Sequence, residues 1–425
     1  MPSIARRRTQ ATALTLGAIA LAALTTLLVQ QHAARATRSA PVPFFAMPAT
    51  LQSEVQIHDG DIAFYTKRVS EDRESALDRL TLAGLLFSRS RATGSTADIA
   101  RAESLARESI GLRRQRNGPA LEMLATILMS RHEFGQAREF AARADSLEPS
   151  TASHLSLLGE IELELGEYSS AAEHFRAVRL NGKQFTVTAR LARWYELTGH
   201  ADVARALLKH AIVDVNRRDD LPQEQAAWFH YRLGELELRT GHGEAADAAF
   251  RRALARNPDD VRALGGLARS ALLRGDWKRV IEHGDRALAV QIDPTILGAL
   301  STASTALGDT AAALGYARAM SATALTQPGA IHRAWGLFLL DHGSRAEQAE
   351  VLRRARRELR ERHDVYGHDL LAWALYRDGR IAEAREQMRA ALAQGTEDVQ
   401  LVAHANALGV AHPDSSGMRA PTRAN

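Results

Sequence analysis

The chain of 425 residues contains no cysteine. Disulfides, a catalytic thiol and a zinc knuckle are therefore excluded, as is the N-terminal cysteine that anchors a bacterial lipoprotein. Aromatic residues are scarce, at 5%, which is typical of packing dominated by alanine and leucine. No alternation of apolar and polar residues indicates strands. These absences favour an all-helical protein held together by apolar packing.

Motifs for nucleotide and hydrolytic chemistry are also missing: no phosphate loop ending in Gly-Lys-Ser/Thr, no His-Glu-x-x-His and no Gly-x-Ser-x-Gly. The carboxylates Glu160, Glu162 and Glu164 are interpreted as an exposed helix face. The chain is thus predicted to hold no catalytic residue and no cofactor.

Sixteen histidines could still bind a metal. His200 and His242 occupy matching positions, but helices pack about 8–10 Å apart, too far for two imidazoles to share an ion with bonds of about 2 Å. In the densest His/Asp cluster, around His363, Asp364 is interpreted as a helix cap. We therefore predict no metal site.

What the chain does have is a series of glycines 33 to 42 residues apart. They are Gly166, Gly199, Gly241, Gly275, Gly308, Gly343 and Gly379. This period is typical of repeats built from helix pairs. The glycine is expected just past the first helix of each pair, where a left-handed cap needs no Cβ. Alanine or glycine seven residues earlier marks a close helix crossing.

Two stretches show the pattern most fully. One contains Leu158-Gly159, Gly166-Glu167-Tyr168, Ala171 and Phe175, and the other contains Leu233-Gly234, Gly241, Ala246, Phe250, Ala253 and Pro258. The pattern resembles the tetratricopeptide repeat, although the early Trp and Tyr positions of the first helix are often replaced. The resemblance implies an all-α, right-handed superhelical solenoid of antiparallel helix pairs, here preceded by one N-terminal apolar helix.

Residues 118–411 are predicted to form about eight repeats and a capping helix. The units start near Gly118, Ala152, Phe185, Ala227, Val261, Pro294, Gly329 and Val365. His132 stands where the first unit would have its glycine. Residues 52–117 are a helical pre-repeat region with one degenerate repeat, split by an insertion at 90–95. Residues 412–425 are expected to be a disordered tail.

The N-terminal region has another character. Arg6-Arg7-Arg8 precede Ala11–Val29, 19 residues without a charge, and a helix of that length spans about 28 Å. Residues 1–37 are predicted to be a signal peptide or a transmembrane anchor, with residues 38–51 as a Pro-containing linker. The basic flank favours export of the rest of the chain. The repeats would be anchored to the inner membrane and face the periplasm, or be secreted to it after cleavage.

The net charge of +4 does not indicate nucleic acid. Five basic residues precede the first acidic one, Glu54, and from residue 39 onward 49 basic residues face 50 acidic ones. The excess therefore belongs to the N-terminal segment. The arginine-rich run 353–362 could contact phosphate or lipid headgroups, but a solvated helix face is the favoured interpretation.

In proteins of the resembled family the first helices line a concave groove that binds peptides, and positions two, five, nine, twelve and thirteen of each unit point into it. Aromatic and Arg residues often anchor interfaces. The partner-binding residues predicted here are Arg193, Glu196, Trp228, Tyr231, Glu235, Arg262, Arg269, Arg333, Asp369, Trp373 and Tyr376. The alternative is that the aromatics fill space between repeats and that the arginines pair with local carboxylates.

These observations favour a non-enzymatic scaffold of a bacterial cell envelope that binds a protein or peptide partner. The alternative is a regulatory subunit of a membrane enzyme or transporter. An enzyme with a site between repeats is a more remote third hypothesis.

Overall fold

The structure, a computed structural model, describes residues 49–179, 184–218, 221–326 and 332–412. The chain divides into two units at Ile57. Within the described ranges the only regular elements are helices, which confirms the predicted all-α class. The helices are α1 Ala49–Glu71, α2 Ala76–Thr93, α3 Thr96–Leu112, α4 Gly118–Ser130, α5 Phe134–Leu147, α6 Ala152–Leu165, α7 Tyr168–Ala177, α8 Phe185–Leu197, α9 Ala201–Asn216, α10 Gln223–Arg239, α11 Gly243–Arg256, α12 Val261–Leu273, α13 Trp277–Val290, α14 Pro294–Ala306, α15 Thr310–Thr326, α16 Arg333–His342, α17 Arg345–Glu358, α18 Val365–Arg377, α19 Ile381–Leu392 and α20 Val399–Leu408.

From α2 onward the helices pack as consecutive pairs, α2 with α3 through α18 with α19. Most second helices also pack against the next first helix, as α3 does on α4, and several first helices contact one another between neighbouring pairs, as α6 and α8 do. A continuous core results, in which each pair covers the apolar face of the last. Helix α20 packs on α19 and α18 at the end of the array.

The turns within the pairs show why glycine recurs. Six of the seven periodic glycines have φ between +69° and +83°, a region that a Cβ disfavours. The exception is Gly343, whose φ is −79°. His132, which replaces the glycine in its unit, adopts φ +60°.

Small residues fit large ones where helices cross. The ring of Phe250 is fully buried, and a Cβ built on Gly234 or on Gly266 would lie 2.5 Å from its nearest ring atom. The ring therefore occupies the space that two glycines leave open on α10 and α12. This is the close approach that small residues were predicted to allow.

Several sequence expectations differ from the structure in detail. Helix α1 begins at Ala49, inside the predicted linker. Phe64 of α1 is 55% exposed, because it lies on the side of the helix opposite the buried Ile62 and Val69. The insertion predicted at 90–95 is mostly helical, since α2 continues to Thr93 and only Gly94 and Ser95 separate it from α3.

The N-terminal segment Ala11–Val29 and the tail beyond His412 lie outside the described residues. Among the helices of the described part, none has both the length and the apolar character needed to cross a membrane.

Candidate functional site

All eleven residues predicted for the groove lie on first helices, namely α8, α10, α12, α16 and α18. We call the side of these five helices that carries the eleven residues the inner face. Its charged members contact one another across neighbouring pairs. The inner face is therefore best described by its carboxylates and the arginines around each of them.

Glu196 on α8 is the first centre. Its side chain is 6% exposed and lies among three guanidinium groups: Nε of Arg239 at 2.5 Å, Nη1 of Arg193 at 3.2 Å and Nη2 of Arg232 at 3.6 Å. Burial by itself raises the pKa of the Glu196 carboxyl, but the arginines, Arg239 most of all, outweigh burial and lower that pKa to about 2. Glu196 is thus ionised at neutral pH and poorly suited to proton transfer.

Glu235 on α10 continues the same chain of charges. It accepts a hydrogen bond from Nη1 of Arg239 at 3.0 Å and a second from Arg269 on the next first helix, α12. Burial again opposes ionisation, yet Arg269 and Arg239 keep the pKa of Glu235 below its ordinary value. Arg239 links the two centres because it contacts both carboxylates.

Asp369 on α18 is the third centre and is completely buried. Nε of Arg333 donates to it at 2.7 Å, and Nδ1 of His404 lies 2.7 Å from its other oxygen. Despite burial, Arg333 and His404 lower the pKa of Asp369. Trp373 stacks on the His404 ring, with centroids 4.3 Å apart.

Tyr366 connects the arginines around Glu196 with the arginine beside Asp369. The guanidinium groups of Arg193 and Arg333 lie 5.4 Å and 4.9 Å from its ring centroid, in cation–π range. Its hydroxyl donates to Asp398 at 3.3 Å. Helices α8 and α18 are thereby connected although 173 residues separate Arg193 from Tyr366.

The sequence analysis missed Arg232, Arg239, Tyr366, His404 and Asp398. Two of them carried a usable signal: Arg239 and Tyr366 stand at positions thirteen and two of their units, which the resemblance places in the groove. Asp398 caps the final helix and lies outside the repeat positions that the resemblance places in the groove. Nothing in the repeat period points to Arg232 or His404.

The aromatic members of the predicted groove are half-buried rather than free. Trp228 packs with the core around Phe229, and Tyr231 packs beside Phe250. Trp373 donates through Nε1 to Asp341 at 2.9 Å and stacks on Tyr376 with a centroid distance of 5.0 Å. These side chains fill space between repeats and still present part of their surface.

A second set of contacts joins early and late repeats, all within residues 58–425. The amide of His363 donates to the Leu165 carbonyl at 2.8 Å, and the amide of Val365 donates to the Tyr168 hydroxyl at 2.7 Å. Nε of Arg362 donates to the Glu164 carbonyl at 2.9 Å. We call this contact of residues 164–168 with residues 362–365 the seam. Burial raises the pKa of the Tyr168 phenol, which therefore stays protonated and can donate or accept in the seam.

The remaining sequence candidates have ordinary structural positions. Asp364 caps α18 by accepting from the Gly367 amide, as predicted. Glu162 was expected on an exposed face, but it is buried and lies 2.7 Å from Nδ1 of His174, because α7 covers that side of α6. Among the described residues, no group of three His, Asp or Glu side chains is placed to hold a metal.

The arginines of the run 353–362 lie in two different environments. Arg353 and Arg356 are 65% and 42% exposed and pair with carboxylates on α17 and α19. Arg362 is only 19% exposed, because it lies in the seam between Glu164 and Asp364. The end of the predicted solvated face is thus an internal contact.

A cavity of about 380 Å³ opens on the inner face. Tyr231, Arg262 and Arg269 form part of its lining, and the end of α2, with Arg91 and Gly94, closes it from the other side. Three of the eleven predicted groove residues therefore line one cavity.

Comparisons with known proteins agree with this architecture. A family model described as tetratricopeptide repeat matches residues 122–184 and 231–295. Human IFIT1, solved as a dimer with m7Gppp-AAAA, is 15% identical over 83% of this chain and 80% of its own, with a TM-score of 0.51. PilW, a type IV pilus biogenesis factor, is 20% identical over 50% of this chain and 96% of its own, with a TM-score of 0.42. No curated protein matches in sequence. Likeness at such identities extends to the fold alone.

Proposed function

Because the chain belongs to the tetratricopeptide repeat family, we propose that it is a non-enzymatic scaffold of a bacterial cell envelope whose inner face binds a protein or peptide partner. Repeats of this kind are typically interaction scaffolds, since stacked helix pairs present one extended surface made by many units. The proposal specifies the surface that binds, the kind of partner and the compartment.

The observation that carries the proposal is the cavity on the inner face. It brings Tyr231, Arg262 and Arg269 together from two neighbouring first helices. Arginine and tyrosine are the side chains that most often anchor interfaces. The carboxylates beside them hold the guanidinium groups in fixed positions, which lowers the entropy that a partner's binding must overcome.

The charge of the inner face favours a protein partner over nucleic acid. The IFIT1 structure holds a capped oligonucleotide, but that property belongs to IFIT1. Here Glu196, Glu235 and Asp369 offset most of the charge of the surrounding arginines. A strand with several phosphates needs a strongly positive surface, which this face does not offer.

The envelope location is supported by the sequence. The basic Arg6–Arg8 flank, the uncharged Ala11–Val29 segment and the proline-containing linker are together typical of an exported chain. N-terminal sequencing of the protein from fractionated cells tests this part. Recovery in the cytosol with Met1 or Pro2 at its start would contradict it.

Partner capture is tested by site-specific photocrosslinking in intact cells. A photoreactive phenylalanine analogue replaces Tyr231 or Trp228 on the inner face, and in control variants it replaces Val213 or Leu314, which are 46% and 51% exposed on second helices. We expect one protein to be crosslinked at stoichiometric level from the inner-face positions only. Equal yields from the control positions, or no adduct from a folded and exported protein, would overturn the proposal.

The regulatory alternative is separated by deletion of the chain. Loss of assembly of the crosslinked partner supports a scaffold. Changed activity of a neighbouring membrane enzyme or transporter, with its assembly intact, supports a regulatory subunit.

Charge reversal of Arg193 and Arg269 is a poor test of capture. Either change would place a new carboxylate beside Glu196 or Glu235, which are buried. Loss of capture would then follow from loss of folding.

A further inference from the structure

The cavity on the inner face has a composition that points to its occupant. It is bounded by the end of α2, by α10 and α12, and by the start of α14. At about 380 Å³ it falls at the lower end of the range for small-molecule pockets, roughly 300–1,000 Å³. It therefore accommodates a small molecule or the last residue or two of a peptide.

The charged lining consists of three guanidinium groups and two carboxylates: Arg91, Arg262 and Arg269, with Asp260 and Asp293. Both carboxylates are already engaged, because Asp260 pairs with Arg262 at 2.7 Å and accepts from the Ala263 amide at 3.1 Å, and Asp293 accepts from the Thr295 amide at 2.7 Å. They cap α12 and α14, whose N-termini carry partial positive charge. The lining thus has one positive charge in excess.

The excess remains when the connected ion pairs are included. Glu224 contacts Arg262 at 2.9 Å and Arg91 at 3.8 Å, and Glu235 contacts Arg269. Following these contacts through the described residues adds three arginines and three carboxylates: Arg193, Arg232, Arg239, Glu196, Glu224 and Glu235. Six guanidinium groups then face five carboxylates. A charge removed from bulk water requires a counter-ion.

The arginines that line the cavity also have hydrogen-bond donors that the described part of the protein does not use. Arg262 and Arg269 keep 27% and 34% of their side-chain surface accessible, although protein surrounds them, because they border the cavity. Within the described residues, Nε of Arg269 is buried without a hydrogen-bond partner, while the other end of the same guanidinium pairs with Glu235. The rest of the wall is partly apolar, with Gly265, Ile296 and the ring of Tyr231, and partly polar, with Asn257, Gln291 and Thr295.

We infer that this cavity binds an organic anion with a single negative charge and a small apolar body, a carboxylate held by Arg262 and Arg269. One charge matches the single excess, whereas a di- or triphosphate would add charges that the wall does not compensate. The carboxylate can come from a free organic acid or from the C-terminus of a peptide. The inference rests on the proposed function in that both use the inner face.

The test measures binding of defined probes to the full chain by isothermal titration calorimetry. Hexanoate is compared with uncharged hexanamide and with pyrophosphate, and an acetylated tripeptide Ala-Ala-Val is compared with its C-terminal amide. We expect one site for a carboxylate probe and at least tenfold weaker binding of the matching amide and of pyrophosphate. Preference for hexanoate indicates a free acid, and preference for the tripeptide indicates a chain end.

The first variant fills the cavity without changing its charge. In Gly265→Leu the new Cβ would lie 3.5 Å from Ile296, an ordinary contact distance, so the helix is expected to fold. The control is Gly315→Leu on α15, where a Cβ meets no atom within 4 Å. We expect Gly265→Leu to lose carboxylate binding at least tenfold and Gly315→Leu to bind as the wild type does.

The second variant, Arg269→Gln, removes one guanidinium and is expected to weaken carboxylate binding about tenfold, as for loss of a charge-assisted hydrogen bond. Absence of carboxylate binding in a folded wild type, equal binding of acid and amide, or unchanged binding in Gly265→Leu would overturn the inference. If crosslinking from Tyr231 still captures a partner in that case, only the inference fails. If capture fails too, the proposed function fails with it.

Discussion

Replacing Gly166 by alanine is expected to destabilise the protein by about 3 kcal/mol or more. Its φ of +83° lies in the left-handed region, which costs a residue with a Cβ about 1–2 kcal/mol. The added Cβ would also overlap the backbone of His363 and Asp364. Backbone atoms cannot rotate away, so the seam must separate. The hydrogen bonds from His363 and Val365 would be lost with it, at about 1 kcal/mol each.

Gly379→Ala is a matched control for this prediction. Gly379 occupies the same position in a later repeat and has φ +80°, but a Cβ there meets no atom within 4 Å. Gly379→Ala should incur only the same conformational cost of about 1–2 kcal/mol. Urea unfolding of both variants, followed by circular dichroism, gives the two free energies of unfolding. Equal losses would show that the seam contributes nothing to stability.

The second large effect is expected for Glu196→Gln. The side chain is 6% exposed and lies among Arg193, Arg232 and Arg239. Glutamine keeps the shape and removes the charge, so three guanidinium groups are left around a neutral amide. Removing one partner of a buried ion pair typically costs about 3–5 kcal/mol, and we expect a loss of that size in the free energy of unfolding at pH 7.

The same carboxylate has a defined pH dependence. Its pKa is lowered from 4.5 to about 2 in the folded state, so the unfolded chain binds the proton more readily. Its contribution is therefore complete above about pH 4.5 and is lost as the pH falls toward 2, a change of about 3 kcal/mol. Glu196→Gln should show a correspondingly shallower fall in stability over this range.

Glu383→Gln is the control for Glu196→Gln. Its carboxylate also contacts two arginines, Arg380 and Arg356, but it is 49% exposed. An exposed ion pair contributes at most about 1 kcal/mol. Glu196→Gln should therefore cost several times more than Glu383→Gln in the same urea titration. Similar small losses for both would mean that water reaches Glu196 and that the inner face is open.

Much of the fold could be predicted because each repeat obeys local rules. A glycine past a first helix marks a turn with positive φ, and an aspartate such as Asp364 or Asp398 marks a helix start by accepting backbone amides. Even the unusual His132, which replaces the glycine, keeps the turn geometry with φ +60°. These signals act over a few residues, and for that reason the sequence displays them.

The seam and the pairing of charges could not be predicted in the same way. The repeat period describes contacts between neighbouring units, whereas Arg362 meets Glu164 across 198 residues. The sequence showed Arg193 and Glu196 on one helix, but not that Arg239 from the next first helix would approach within 2.5 Å. The relative rotation of consecutive units sets such distances, and small rotations accumulate along the array.

The seam also bears on how the chain is made. Glu164 and Tyr168 are synthesised long before Arg362 and Val365, which contact them. At about 5–20 residues per second, 198 residues take about 10–40 s. During that interval the turn at Gly166 has no covering, so the early helix pairs must hold their shape by packing on one another alone. Synthesis of residues 362–365 then completes the seam, and a ribosome stalled before Arg362 leaves a chain whose turn at Gly166 is exposed to other chains.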